Sequence, residues 1–329
     1  MRKMLGMVLF DHVLLATTAF RVPILSTLQS IGDRRTTRFS ERYFSLDRPD
    51  DFRDVSRMSL ALGVGDTNHD GIDDASPIAT TPPKPVLSFP GGGIFFWWQA
   101  GAITALQERY DLCSLDMVGA SAGALAATLA ACDADMDLAM TIALDLCDAN
   151  QVWSRPLGLA GVWGAMVEDW LDDLLPADAD IMCLDRVHLL VLGMWPQFGR
   201  RIPISDFSSK EDLIKTCMAS VHIPYFMNKK FTAWHRGCRF VDGSFQASQQ
   251  DLSLGAHRPT VYIDYKDDEV MARRTDNFLK LTNRDGLLFM RERGYEHVQS
   301  LLAGGELDCL EGAALPKFVS RRRVLMDAE

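Results

Sequence analysis

A serine with a glycine two residues away on each side, in Gly119-Ala120-Ser121-Ala122-Gly123, constrains this chain more than any other stretch. A mostly apolar run, Leu115 to Val118, leads into it, and a small-residue helical run, Ala124 to Ala131, leads out. Gly-x-Ser-x-Gly between a strand and a helix is the pattern of a nucleophile elbow. Such a turn is tight, so the residues two before and two after the serine must be small. Gly119 and Gly123 fill those places. The serine hydroxyl then stands clear of the sheet. The helix that follows turns its unpaired N–H groups and partial positive charge toward it, which suits an oxyanion. The same five letters also describe a Gly/Ala-rich turn with a bystander serine, so other segments must decide.

Two further loops share the logic of the first. Val86 to Phe89 reads as a short buried strand. It enters Pro90-Gly91-Gly92-Gly93, and a helical run from Ala100 to Leu106 follows. Without side chains in the way, Gly91, Gly92 and Gly93 can offer several backbone N–H groups to an anion. That suits the oxyanion of an acyl-transfer intermediate. A nucleotide phosphate is the alternative, but the loop lacks a P-loop lysine and the glycine spacing of a dinucleotide site. Later, Arg239-Phe240-Val241 reads as a strand that runs into Asp242-Gly243-Ser244. Alone, Asp-Gly is most simply a turn. In an open α/β sheet, however, loops after strands gather at one end of the sheet, where ligands bind. Asp242 would then lie near Ser121.

In this order, Ser88-Phe89-Pro90-Gly91-Gly92-Gly93, Gly119 to Gly123 and Val241-Asp242-Gly243-Ser244 make the chain resemble the patatin-like phospholipase family over roughly residues 86–255. Gly101 and the pair Ala219-Ser220 with Ile223-Pro224 also fall where that family has matching residues. The resemblance implies a three-layer α/β/α fold with a central, mostly parallel sheet. It implies a Ser121–Asp242 dyad without a third member, an oxyanion hole at Gly91, Gly92 and Gly93, and a lipid ester substrate met at a membrane surface. No metal or other cofactor is implied. Two positions depart from the family pattern. Phe96 stands where the first motif usually ends in glycine, and Ser244 stands where glycine or alanine is usual. An ordinary α/β-hydrolase triad is the rival arrangement, with His257 following Asp242; His222, His235 and His297 are also present. A catalytically silent lipid-binding protein on the same fold is the alternative from another class.

The rest of the chain sets bounds. Of 329 residues, 47% are hydrophobic and 24% charged, which suits a globular domain rather than disorder. A net charge of −10 argues against nucleic acid as a partner, which needs a basic footprint, and it disfavours simple electrostatic docking on anionic lipid. The seven cysteines form no C-x-x-C pair, and they read as free thiols rather than a zinc site or disulfide frame. Residues 1–83 read as leader and linker, 84–303 as the acyl hydrolase domain and 304–329 as a tail with a basic Arg321-Arg322-Arg323. A basic Met1-Arg2-Lys3, an apolar run to Ala19 and an Arg/Ser/Thr-rich stretch to Arg42 resemble a bipartite plastid leader. An amphipathic N-terminal helix of a cytoplasmic protein is the other reading. Asp66 to Asp74 begins like a calcium loop, but the twelfth position is Pro77, so a polar linker is expected. Helices are expected within 136–175, 212–219 and 278–302, the last interrupted at Gly286, with strands at 187–192 and 261–263. Ile94-Phe95-Phe96-Trp97-Trp98 suits either an acyl channel, a lipid surface or helix core.

Overall fold

The computed structural model describes residues 83–255, 258–274, 279, 282–311 and 315–316. The leader reading of residues 1–82, the Asp66–Asp74 loop, His257 and Arg321–Arg323 lie outside the described residues. The chain divides into two units, Met1–Pro77 and Ile78–Glu329, and every described residue belongs to the second.

The fold is α/β, a mixed sheet with flanking helices, consistent with the three-layer expectation. Strand β1 (Val86–Phe89) leads through the glycine loop and a short 3-10 turn (Gly93–Phe95) into helix α1 (Phe96–Arg109). A two-residue strand β2 (Tyr110–Asp111), strand β3 (Asp116–Ala120) and helix α2 (Ala122–Ala131) follow. Helices α3 (Met136–Ala149), α4 (Trp163–Leu174) and α5 (Ala179–Cys183) precede the long strand β4 (Val187–Trp195) and strand β5 (Arg201–Ile204). Helix α6 (Lys210–Ser220), the hairpin β6 (Ala233–His235) and β7 (Cys238–Val241), and strand β8 (Thr260–Tyr262) come next. A short α7 (Glu269–Ala272), the long α8 (Arg284–Gly304) and β9 (Leu315–Pro316), which pairs with β2, complete the described chain.

Through the sheet the path is β6-β7-β4-β3-β1-β8, with β5 also on β4. The four strands β8, β1, β3 and β4 run parallel; β5 and β7 are antiparallel to β4. Val86, Val118, Ala120 and Leu190 form a buried cluster with Leu252 on one face of these strands.

Two features of the helices follow directly from composition. Helix α2 is built of alanine, glycine, leucine and a threonine, and all ten of its residues are buried. A helix without a polar face has to be enclosed, and its small side chains let it lie close to β1, β3 and β4. Helices α1 and α8 cross through two glycines. A Cβ on Gly101 would stand 1.8 Å from the Arg291 carbonyl oxygen, and one on Gly294 would stand 1.8 Å from that of Trp98. The two backbones therefore touch, each using the other's missing side chain. The expected interruption at Gly286 is not found: α8 starts at Arg284, capped by the Asn283 side chain, which accepts the Gly286 N–H. Gly286 sits in the first turn, where it weakens the helix least. The cysteines of the described residues are free thiols.

Gly294→Ala and Gly101→Ala are each expected to destabilise the domain by about 2–3 kcal/mol, as overpacking of a tight contact does, read as a lowered urea midpoint. An unchanged midpoint would mean that the two helices can part freely.

Candidate active site

Two strand ends meet on β4. Leu190 pairs with Ala120 of β3, and Leu192 pairs with Val241 of β7. Both β4 residues also pair with β5, so β3 and β7 share the opposite edge of β4 and approach head-on. The next residue of each strand is Ser121 and Asp242. The Ser121 hydroxyl donates to Asp242 Oδ2 at 2.6 Å, across 121 residues of sequence, and both side chains are buried.

Each end is held in place. Ser121 has φ 55° and ψ −128°, a positive-φ conformation that costs a non-glycine residue about 1–3 kcal/mol. Its N–H is taken by Ser220 Oγ at 3.0 Å, and its carbonyl starts α2 by accepting from the Ala124 N–H at 2.8 Å. Flanking glycines are required on steric grounds. A Cβ on Gly119 would lie 2.2 Å from the Gly123 carbonyl oxygen, and one on Gly123 would lie 1.8 Å from that of Phe89. On the other side, Asp242 donates its N–H to the His222 carbonyl and Gly243 donates to that of Ser220, both at 2.9 Å. A Cβ on Gly243 would fall 1.7 Å from the Leu190 carbonyl oxygen. Ser220 Oγ donates to that same carbonyl at 2.7 Å. Residues 220–222, at the end of α6, thus tie both loops to β4. The segment Ala219-Ser220 stands out in the sequence, but nothing there says that its hydroxyl bridges the Ser121 loop and the sheet.

The carboxylate of Asp242 is fully engaged. Oδ2 accepts from Ser121, and Oδ1 accepts from the Ser244 N–H at 2.9 Å and the Ser244 hydroxyl at 2.6 Å. The hydroxyl at position 244 therefore adds a donor that glycine or alanine would not. Burial pushes the Asp242 carboxyl above its usual range, and the bonds from Ser121 and Ser244 pull only part of the way back. Among the described residues no imidazole bonds to it. His222 Nε2 faces the Lys230 carbonyl and His235 Nε2 faces the Thr216 hydroxyl, and burial lowers the pKa of both rings.

Gly91, Gly92 and Gly93 border the same spot. A Cβ on Gly91 would come within 3.1 Å of Ser121 Cβ and 2.5 Å of Ser244 Cβ. Among the described residues, no hydrogen bond uses the N–H of any of the three. The Tyr265 ring lies over Gly92 and stacks on Phe95 at 4.0 Å.

Beside Ser121 opens a narrow apolar cavity of about 70 Å³. Its lining includes Phe96, Trp97, Leu125, Met166, Trp170 and Phe226, with no charged side chain. Trp163, Met166, Val167 and Trp170 follow the 0, 3, 4, 7 spacing of one helix face, so a single stripe of α4 forms one wall. The aromatic run after the glycine loop divides its duties. Ile94, Phe96 and Trp97 line the cavity, whereas Trp98 is core and donates to the buried Asp268 at 3.1 Å. Phe96 fills the place of the family's glycine, edge-on to Trp97 and Trp170 at 5.1 and 5.4 Å. All five of these residues are buried, so none of them meets a lipid surface directly.

A sequence profile described as patatin-like phospholipase matches residues 87–248. The chain belongs to the patatin-like phospholipase family. Its patatin-like region is 28% identical over 167 residues to human omega-hydroxyceramide transacylase, covering 50% of this chain and 31% of that protein. It is 29% identical over 163 residues to mouse 1-acylglycerol-3-phosphate O-acyltransferase Pnpla3, covering 48% of this chain and 38% of that one. It is 25% identical over 181 residues to human patatin-like phospholipase domain-containing protein 4, covering 51% and 68%. The matches thus span about a third of the first relatives' length.

Ser220→Ala is expected to lower stability by about 1–3 kcal/mol, the cost of leaving a buried N–H and carbonyl without partners. It should also slow labelling of Ser121 by a fluorophosphonate, since the strained turn loses its tether. Wild-type stability and labelling in the variant would remove Ser220 from this role.

Proposed function

We propose that this protein is a serine acyl hydrolase of lipid esters, working through a Ser121–Asp242 dyad and an acyl-enzyme. The observation that carries the reading is the 2.6 Å Ser121–Asp242 hydrogen bond at the edge of an uncharged cavity. An acyl chain would occupy that cavity and bring its ester carbonyl to Ser121. The hydroxyl oxygen attacks the carbonyl carbon as its proton passes to Asp242 Oδ2. The Gly91–Gly93 N–H groups take up the negative charge that grows on the carbonyl oxygen. One such donor contributes about 3 kcal/mol in comparable sites. The carbon–oxygen bond to the alcohol then breaks, and the proton on Asp242 goes to the leaving alkoxide. Water repeats the sequence on the acyl-enzyme, with Asp242 again accepting the proton, and releases the fatty acid and the free serine.

A raised carboxyl pKa fits this role, because a base nearer neutrality accepts a proton more readily than an ordinary aspartate. The substrate class is a glycerolipid ester met at a membrane surface, supported by the apolar cavity and the lipid-acting names of the relatives. Two of those names describe transfer to an alcohol rather than to water. An acyl-enzyme permits both outcomes, and the acceptor decides between them.

Ser121→Ala and Asp242→Asn should each lower hydrolysis of a soluble chromogenic ester by at least about a thousandfold. Only wild type should label with a fluorophosphonate at full rate. Full activity in Ser121→Ala would refute the mechanism, and loss of activity in His257→Ala with Asp242→Asn still active would favour the triad.

The pH dependence has a defined sign. The base must be ionised, so kcat/KM should fall as pH drops through the Asp242 pKa. Its acid limb should have a midpoint above the usual aspartate value of about 3.9. A midpoint at or below that value would contradict Asp242 as the buried base.

A further inference from the structure

Three segments, 150–167, 193–205 and 221–241, contain no Asp or Glu in a chain of net charge −10, and the first and third supply residues that line the cavity. The same segments hold a large share of the exposed aromatic side chains. Trp195 of β4 and Trp234 of β6 are each 65% exposed. Both are register partners of Arg239 on β7, which lies between them, so the three side chains form one row on one face of the sheet. The Arg239 guanidinium stands 5.6 Å from the Trp234 ring centre. Three residues before Trp234 comes Phe231, which packs on the exposed Tyr225 at 5.8 Å. Tyr225 belongs to the loop whose Ile223 and Phe226 line the cavity. This loop is bonded to the next. Gly161 and Gly164 donate to the Phe226 and Met227 carbonyls at 2.7 and 3.0 Å, and exposed Leu157 lies just before Gly161. Along the chain the strip thus runs from the cavity-lining loop through Tyr225 and Phe231 to the tryptophan row.

Its cations are available. Arg236 is paired with Asp206 and Asp212, and Arg201 with Asp251. Arg200, Lys229, Lys230 and Arg239 are exposed and, among the described residues, have no ion pair. Exposed aromatics beside unpaired cations match one environment closely. Tryptophan and tyrosine settle at the headgroup level of a bilayer, and lysine and arginine stems extend to anionic headgroups. A second copy of this chain fits poorly, since a two-fold contact would set like charges against each other. No described helix is long and apolar enough to cross a membrane.

We propose that this aromatic–basic strip docks the protein on bilayers containing anionic lipid and points the cavity mouth at the headgroup region. The inference rests on the lipid acyl hydrolase reading for its purpose, but it is measured separately. The Ser121→Ala protein, which leaves vesicles intact, should float with phosphatidylcholine vesicles containing phosphatidylglycerol. It should float far less with phosphatidylcholine alone, and high salt should reduce the binding. Adding Lys229→Gln and Lys230→Gln should weaken binding to the anionic vesicles about 30-fold, at about 1 kcal/mol per surface lysine. Trp195→Ala with Trp234→Ala should weaken it at high salt as well as low. On the wild-type background, both pairs should leave turnover of a soluble short-chain ester unchanged while slowing hydrolysis of vesicle lipid. Equal flotation with neutral and anionic vesicles, or wild-type flotation of the lysine variant, overturns the proposal. Failure of the hydrolase reading looks different: flotation persists, while the wild-type protein turns over no soluble ester.

Discussion

The carbonyl oxygen of Leu190 is the point on which the site depends. It lies on β4 where the ends of β3 and β7 meet. It accepts the Ser220 hydroxyl, and the bare face of Gly243 rests against it. Ser220 in turn holds the Ser121 N–H. One backbone atom therefore fixes the approach of both loops, one through a hydrogen bond and the other through steric contact. A strained serine persists only where its surroundings determine it several times over. Here those determinants are the Ser220 tether, the start of α2 and the two glycine contacts. The parallel β3 and the antiparallel β7 bring Ser121 and Asp242 together without either loop having to be long.

The electrostatics oppose the packing. Asp242 is buried among serines and backbone, with no cation paired to it among the described residues. Three donors satisfy its oxygens but do not replace lost hydration, so the folded state raises its pKa. A raised carboxyl pKa means that the native protein holds the proton more tightly than the unfolded chain. This contribution therefore favours folding at low pH and is lost as pH rises through the folded pKa. Where Asp242 is ionised, it costs stability. Asp268 shows the contrast. It is equally buried, but Arg293 and Trp98 donate to it, and its pKa is lowered despite the burial. It is a structural carboxylate that joins α1, α7 and α8. Two buried aspartates thus differ in role because one has a guanidinium and the other has only hydroxyl and amide donors.

What was legible in the sequence was local. The three glycine-bearing loops, the strands that feed them and the helices α1, α2 and α6 follow from tight-turn chemistry and short-range periodicity. Ser121, Asp242 and Gly91 to Gly93 lie together as those loops require. Elements that depend on distant partners were harder to read. The β6–β7 hairpin is short, and β6 by itself has too few residues to show alternation. β4 was expected to stop at Leu192, yet it runs on to Trp195 because β7 pairs with that extension. Gly286 reads as a break by glycine propensity alone, whereas the Asn283 cap places it in the first turn of α8. The α4 stripe from Trp163 to Trp170 reads as ordinary core packing, since a cavity wall and a core face share one period. Ser220 gives no signal of its own role, because a bridging hydroxyl is defined only by what lies on both sides of it.

Net charge shows the same limit on a larger scale. A sum of −10 describes the chain as seen from far away. At physiological salt, fields fade within about 8–10 Å, so a partner responds to the residues it approaches and not to the total. Two of the acid-free segments, 150–167 and 221–241, reach the wall of one cavity although they stand far apart in sequence. Carboxylates that border these segments are engaged, Asp206 and Asp212 by Arg236 and Asp148 by Trp153 and Arg284, so they present little bare negative charge to an anionic headgroup layer. The cavity wall itself carries no charge at all. On the proposed reading, an acyl chain moving from bilayer to Ser121 would pass from hydrocarbon to an uncharged wall, with the unpaired cations of the strip at the depth where headgroups already are. Such a separation would let one small site combine a polar reaction centre with an apolar substrate.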